Sequence, residues 1–380
     1  MPKHGTGFTR FLLLGLIVFV WAGWTAVIDR RPAVRKSTKT LKPSTPSTSA
    51  KGSPKTTKRR PVAKAPAGQR WVESSLGDST AGDLVDGEDL TVRQAAVQAL
   101  GPLNGAVVVV DPNTGRVLSM VNQKLALASG FIPCSTIKVP VALAALNEGI
   151  ISPHTRLRLG KQWFMDLTEA LAISNNVYFA RLGEALGFEK VKRYARLFGF
   201  GEKAGWNIPG EQVGTFPTAP PTHGGVGRLC SFGEDIQATP LQQAAFMAAL
   251  ANGGTLYYLQ YPRIQEEAAH FIPKVKRRLD IANLIPGIMP GMTAAVRRGT
   301  ARRAYDPVDP ILGKTGTCSE NGARLGWFTS YNDLGNRLTV VVMLRGGRGS
   351  YGPLAAEVAG KVYRTLTERN YFAASLGPRF

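Results

Sequence analysis

The chain has 380 residues, 44% of them hydrophobic and 19% charged, which is enough apolar content for a full core and too much for a disordered protein. Its 47 Lys and Arg outweigh 26 Asp and Glu, yet residues 1–70 hold 15 of the basic residues against one acid, Asp29; the charge is that of a tail, and without a zinc-finger or RNA-recognition signature it implies no nucleic-acid partner. Three cysteines, Cys134, Cys230 and Cys318, exclude a disulfide framework and permit at most one bridge, and four scattered histidines lack ligand spacing, so no metal and no cofactor is expected.

Residues 1–10 form a short N-terminal tail. Phe11 to Ile28 is an uncharged run carrying Trp21 and Trp24 toward its far end, which suits a transmembrane anchor with an aromatic interface belt. A cleaved signal peptide is the rival reading, but Trp-Ala-Gly-Trp-Thr-Ala offers poor small-residue positions for cleavage. Arg30, Arg31, Arg35 and Lys36 follow the run, so the positive-inside rule alone places the body in the cytoplasm. Residues 29–70, rich in Pro, Ser, Thr, Lys and Ala, cannot bury a core and read as a flexible basic linker.

The body spans residues 71–380, with regular elements from about Asp89. Leu90 to Leu100 reads as a helix, Gly105 to Val110 as a continuous apolar strand, Asp111 to Gly115 as a turn and Arg116 to Val121 as the returning strand. Helical patterns follow to about residue 300, including Asp166 to Leu186 and Thr239 to Ala251. Strand patterns resume at Ile311 to Thr317, Leu325 to Tyr331 and Leu338 to Leu344, and an amphipathic helix, Pro353 to Arg369, closes the series. Two early and three late strands around a helical insert predict an α+β fold: an antiparallel five-stranded sheet flanked by helices, with a helical lobe.

Chemistry concentrates in Phe131 to Gly149. Pro133 and Ser135 read as a helix start, Val139, Leu143 and Leu146 as an apolar face, and Gly149 as a stop. Ser135 then falls in the first turn, with Lys138 three residues on and on the same face. A serine needs a base within hydrogen-bond reach to become a nucleophile, and a lysine among apolar groups can be neutral near pH 7. A helix N-terminus adds a positive field where an oxyanion would form. This Ser-x-x-Lys occurs once in the chain.

Two further motifs follow, Ser174-Asn175-Asn176 and Lys314-Thr315-Gly316-Thr317. Ser-x-Asn alone is weak, because Ser319-Glu-Asn321 and Ser330-Tyr-Asn332 also match. Gly313-Lys-Thr315 is no phosphate loop, since Val308 stands where that motif needs glycine, and Gly-x-Ser-x-Gly is absent. Taken in order, Ser-x-x-Lys, Ser-x-Asn and Lys-Thr-Gly resemble the three site motifs of penicillin-binding proteins and serine β-lactamases. Gly105 to Ser119, Asp166 to Asn176, Ala238-Thr-Pro-Leu-Gln242 and Trp327-Phe328 also resemble penicillin-binding transpeptidase domains, so the likeness covers roughly Leu90 to Arg369.

The resemblance implies acyl transfer on D-alanyl-D-alanine stem peptides of peptidoglycan, as a D,D-transpeptidase or D,D-carboxypeptidase, with β-lactams as covalent ligands. Carried over by motif, Ser135 is the nucleophile, Lys138 its base and Ser174 the proton relay to the leaving amine. Asn176 binds the substrate backbone, Lys314, Thr315 and Thr317 bind the terminal carboxylate, and Gly316 lets the substrate approach. The N–H groups of Ser135 and Thr317 form the oxyanion hole. The implied place is the bacterial cytoplasmic membrane, with a single pass and the catalytic domain outside; this overrides the charge rule. Cell-wall synthesis proteins are possible partners.

Cys134 and Cys318 depart from the family's small residues at these places and read as two small buried side chains rather than a redox or disulfide pair. A class D-like β-lactamase, a β-lactam-sensing receptor and an inactive wall-binding module are the alternatives. A sensor needs a cytoplasmic output module where only about ten residues precede the span; an inactive module would not need the intact hydroxyls and amines.

Overall fold

The computed structural model describes residues 71–374, so the tail 1–10, the anchor 11–28 and the linker 29–70 lie outside the described residues. Among those described, no helix is long and apolar enough to cross a membrane. Nine helices of six or more residues follow one another here: α1 (Leu90–Leu100), α2 (Lys138–Asn147), α3 (Leu167–Ala172), α4 (Asn176–Leu186), α5 (Phe188–Leu197), α6 (Gly225–Phe232), α7 (Pro240–Ala251), α8 (Ile285–Arg297) and α9 (Gly352–Glu368). The main sheet contains β1 (Gly105–Val110), β2 (Val117–Val121), β3 (Ile311–Glu320), β4 (Ala323–Asn332) and β5 (Thr339–Gly346).

Local chemistry sets the element ends. Asp89 caps α1 by accepting the N–H groups of Thr91 and Val92 at 3.0 and 3.1 Å. Asp111 turns the β1–β2 hairpin, taking the Asn113 N–H at 2.9 Å and the Thr114 hydroxyl at 2.8 Å. Thr239 and Gln242 form a reciprocal capping box that starts α7 with Pro240 in its first turn.

The five strands lie in the order β2–β1–β5–β4–β3, every neighbouring pair antiparallel. Helices cover both faces. Val108 and Val110 of β1 join Leu312, Trp327, Tyr331, Val341 and Met343 beneath the lobe built by α2, α4 and α7. Val107 and Val109 join Ile311, Phe328, Val340 and Val342 beneath α1 and α9. Because each face has its own core, β1 runs apolar without alternation, which is why its sequence reads as a fully buried strand.

One reading of the sequence needs correction. The helix expected over Asp166 to Leu186 is two helices, α3 and α4, separated at Ser174, whose φ of 59° is left-handed. Asn175 causes the break: its side chain accepts the Tyr178 N–H at 2.8 Å and starts a new helix. Ahead of α1, residues 72 and 73 are already bound to the main sheet. Val72 N–H donates to the Gly322 carbonyl of the β3–β4 turn at 3.1 Å, and Glu73 receives two bonds from Arg345 of β5, each 2.6 Å.

Candidate active site

Ser135 lies on a turn packed beneath the edge strand β3. The turn is 3₁₀, Cys134–Ile137, and α2 begins at Lys138, so Ser135 precedes the helix rather than opening its first turn. Several bonds fix the turn. The Thr136 hydroxyl donates to the Pro133 carbonyl at 2.7 Å, and Gln243 of α7 donates to that hydroxyl at 2.8 Å. Trp327 of β4 donates its indole N–H to the Ile132 carbonyl at 3.0 Å, and Phe131 exchanges two backbone bonds with Ala238 at 3.0 and 2.9 Å.

Lys138 is wholly buried at the start of α2. Its amine meets the Ser174 carbonyl at 2.7 Å, the Ser174 hydroxyl at 3.1 Å and Asn176 Oδ1 at 2.6 Å, while its charge sits 5.6 Å from the centre of the Phe179 ring. The i, i+3 spacing predicts Lys138 over Ser135; the hydrogen bonds of the amine instead run to the Ser-x-Asn segment. The left-handed backbone of Ser174 makes this possible, since it turns both the carbonyl and the side chain of one residue toward the same amine.

Lys314 reaches the cluster from β3 and is likewise wholly buried. It donates to the Ser174 hydroxyl at 2.8 Å and to the Thr315 carbonyl at 3.0 Å. One hydroxyl thus lies between two lysines. The described residues pair neither lysine with a carboxylate, so each relies on being neutral for part of its stability. Burial pushes Lys138 down to about 6, with the charge of Lys314 adding to the effect. Burial alone pushes Lys314 down to about 7.

The other residues of the Lys-Thr-Gly motif have structural partners. Gly316 sits where a Cβ would come 2.9 Å from the Pro133 carbonyl oxygen and 3.3 Å from the Ser135 nitrogen. Glycine is therefore required for strand β3 to approach the Ser135 turn; the expectation tied it to the approach of substrate. The Thr317 hydroxyl accepts the Gly352 N–H at 2.8 Å, at the N-terminus of α9. Thr315 is buried and its hydroxyl is 2.6 Å from that of Thr300.

Thr300 carries no motif. Its backbone N–H donates to the Ala172 carbonyl at 3.1 Å, so it links the end of α3 to β3. Gly299 makes this possible, because a Cβ there would sit 2.1 Å from the same carbonyl oxygen.

The cysteine reading also requires correction. Cys134 and Cys318 form a disulfide, with Cα atoms 5.6 Å apart across a separation of 184 residues. Only the third, Cys230, is free, and it is buried on α6 against Gly183 of α4. The backbone of Cys134 has a φ of 52°, a left-handed conformation uncommon for a residue with a side chain.

A family model, that of the penicillin-binding protein transpeptidase domain, matches this chain over residues 105–364. The chain belongs to this family. Among its relatives, stage V sporulation protein D of Bacillus subtilis is 31% identical over 258 residues, which is 58% of this chain and 39% of the relative. The peptidoglycan D,D-transpeptidase MrdA of Haemophilus influenzae is 25% identical over 360 residues, 71% of this chain and 54% of the relative. The chain thus spans about half or less of the length of these relatives.

Solved structures agree on the fold. The D,D-transpeptidase domain of a peptidoglycan glycosyltransferase from Eggerthella lenta aligns with a TM-score of 0.61 at 21% identity, covering 74% of this chain and 82% of that one. PBP2 of Pseudomonas aeruginosa aligns with a TM-score of 0.61 at 26% identity, covering 73% and 74%. The expected five-stranded α+β architecture is the one observed.

Proposed function

We propose that this penicillin-binding transpeptidase domain is a serine acyltransferase acting on D-alanyl-D-alanine stem peptides through an ester on Ser135. The observation that carries the reading is the convergence of Lys138 and Lys314 on the single Ser174 hydroxyl. Two buried amines held below their usual range, with no carboxylate beside them among the described residues, suit proton transfer near neutral pH.

Neutral Lys138 takes the proton of Ser135 as its oxygen bonds to the carbonyl carbon of the penultimate D-alanine. The resulting oxyanion is held by the N–H groups of Ser135 and Thr317. As the peptide C–N bond breaks, the Ser174 hydroxyl delivers a proton to the departing D-alanine nitrogen and recovers one from the lysines. A ser-ester and free D-alanine result. An amine of a second stem peptide then attacks the ester, or water does, and the proton returns to Ser135 through the same groups.

Recognition is shared among the remaining residues. With its oxygen occupied by Lys138, Asn176 has its amide N–H groups left for a substrate carbonyl. Thr317 accepts from Gly352, so its own O–H is left to donate to the terminal carboxylate. The N-terminus of α9 adds a favourable field for that anion. Lys314 supplies charge from behind Ser174 rather than by direct contact at the strand edge.

The substrate class implies that the body lies outside the cytoplasmic membrane, tethered through residues 11–28. Fluorescent penicillin should label the intact protein at Ser135, and mass spectrometry should show an adduct lasting many minutes with negligible drug turnover. The Glu-x-x-x-Asn pattern that resembles the class A deacylation site does not occur in this chain. Rapid return to the unmodified mass with the drug consumed would make the protein a β-lactamase, and absence of labelling would remove the proposal. Product analysis on a peptidoglycan fragment then separates amine from water as acceptor.

A further inference from the structure

The disulfide occupies a distinctive place relative to the reacting groups. Cys134 immediately precedes Ser135, and Cys318 immediately follows Thr317. These are the two residues whose N–H groups would hold the oxyanion. They sit on different elements, the Ser135 turn and the edge strand β3, and nothing in the local backbone of either determines the gap between them. The packing at this seam is already close: a Cβ on Gly316 would fall 3.1 Å from Cys134 Cβ and 3.3 Å from the Ser135 nitrogen.

Two other contacts hold the turn, and neither is made by Ser135 or Thr317 itself. Trp327 holds the Ile132 carbonyl, and Gly233, with a φ of 74°, lies against Pro133 on the opposite side of the turn. The turn also includes a strained residue, since Cys134 has a φ of 52°. A left-handed conformation at a residue with a side chain is costly and persists where the surroundings hold it. The covalent bond from Cys134 to β3 is such a hold.

We infer that the Cys134–Cys318 disulfide is a positioning device that sets the distance between the Ser135 and Thr317 N–H groups and so fixes the oxyanion hole. The inference rests on the function proposed above and deepens it. In this role the disulfide need touch neither substrate nor leaving group. It acts through its neighbours, holding two donors from separate elements within the tolerance that oxyanion stabilisation requires. Because a misplacement of about 1 Å can cost on the order of 100-fold in rate, the effect falls on the transition state rather than on substrate binding.

The test compares wild-type protein with the Cys134→Ala/Cys318→Ala double variant. Thiol titration of the denatured wild type should find one thiol, that of Cys230; three would overturn the inference. The folded double variant should acylate about 10- to 100-fold more slowly with penicillin and with a D-alanyl-D-alanine depsipeptide. The loss should appear in kcat with KM little changed. Affinity for a peptide boronic acid, whose boronate oxygen occupies the oxyanion position, should fall in parallel.

A second variant, Cys134→Gly/Cys318→Ala, removes the backbone strain with the bond and serves if the first fails to fold. Acylation at the wild-type rate by either folded variant overturns the positioning role, as does unfolding of both, which would make the bond an element of stability. Failure of the wild-type protein to label at Ser135 overturns the proposed function and this inference together, whereas the preceding outcomes overturn this inference alone.

Discussion

Lys314 Nζ lies 2.8 Å from Ser174 Oγ, and Lys138 Nζ lies 3.1 Å from the same oxygen. The two amines are therefore coupled through one hydroxyl, and protonation of either raises the cost of protonating the other. Adding a proton to the pair brings like charge into a buried site, whereas its removal leaves a lone pair for the Ser135 proton.

This arrangement predicts the pH dependence of acylation. Lys138, held at about 6, must be neutral to act, so the rate should rise with pH through about 6. Lys314, held at about 7, loses its charge above that value, so a falling limb should follow. Lys314→Met removes the Coulombic contribution that lowers Lys138 and should move the rising limb to higher pH. Stopped-flow acylation across pH 5–9 checks this, and a flat profile would count against Lys138 as base.

Stability should depend on pH through the same groups. Both folded values lie below the ordinary 10.5 of lysine, so the unfolded chain binds more protons between about 6 and 10.5. Stability should thus rise with pH across that window and fall as the lysines are forced to charge. Lys138→Met should flatten the dependence in denaturant titrations at several pH values while abolishing activity.

Ser135→Ala should abolish covalent penicillin labelling in a protein that stays folded, because the partly exposed hydroxyl contributes little to the core. Lys138→Ala should lower acylation by at least about 100-fold, the usual scale for a general base. Labelling of the serine variant at another residue, or a lysine variant within tenfold of wild type, would each reassign the site.

Thr300→Val removes a hydroxyl 2.6 Å from that of Thr315 while preserving shape. The loss of one hydrogen bond, about 1 kcal/mol, predicts roughly fivefold weaker use of a peptide ending in carboxylate. The matching C-terminal amide should be affected less if Thr300 orients Thr315 toward the carboxylate. Equal losses for both peptides would make Thr300 a structural link only.

Gly316→Ala should be destabilising by about 1–3 kcal/mol, since its Cβ meets backbone of the Ser135 turn that cannot rotate away. Thermal unfolding measures that cost. Penicillin acylation of the variant should also fall, as the same displacement separates β3 from Ser135.

The sheet was legible because its signals are local and periodic. Val107 to Val110 announce a strand buried on both faces, and Asp111 to Gly115 announce its turn, with no help from distant residues. The motif residues were also legible, and the structure brings Lys138, Ser174, Asn176 and Lys314 into one cluster. Missing from the sequence reading were contacts made by the fold alone. Ser174 looks helical until Asn175 is recognised as a cap. Thr300 and Cys318 gain meaning only when α3, the Ser135 turn and β3 meet, and spacing carries no trace of a pairing across 184 residues.

The anchorage of residues 72 and 73 has a mechanical consequence. Val72 is bonded to the β3–β4 turn and Glu73 to Arg345, so tension applied from upstream of Trp71 enters the body at the far end of the hairpin that contains Lys314 to Thr317. The first bonds on that load path are the 3.1 Å contact to Gly322 and the paired contacts to Arg345. Under such tension the 72–73 contacts are the first to bear load, ahead of the strand that carries the site.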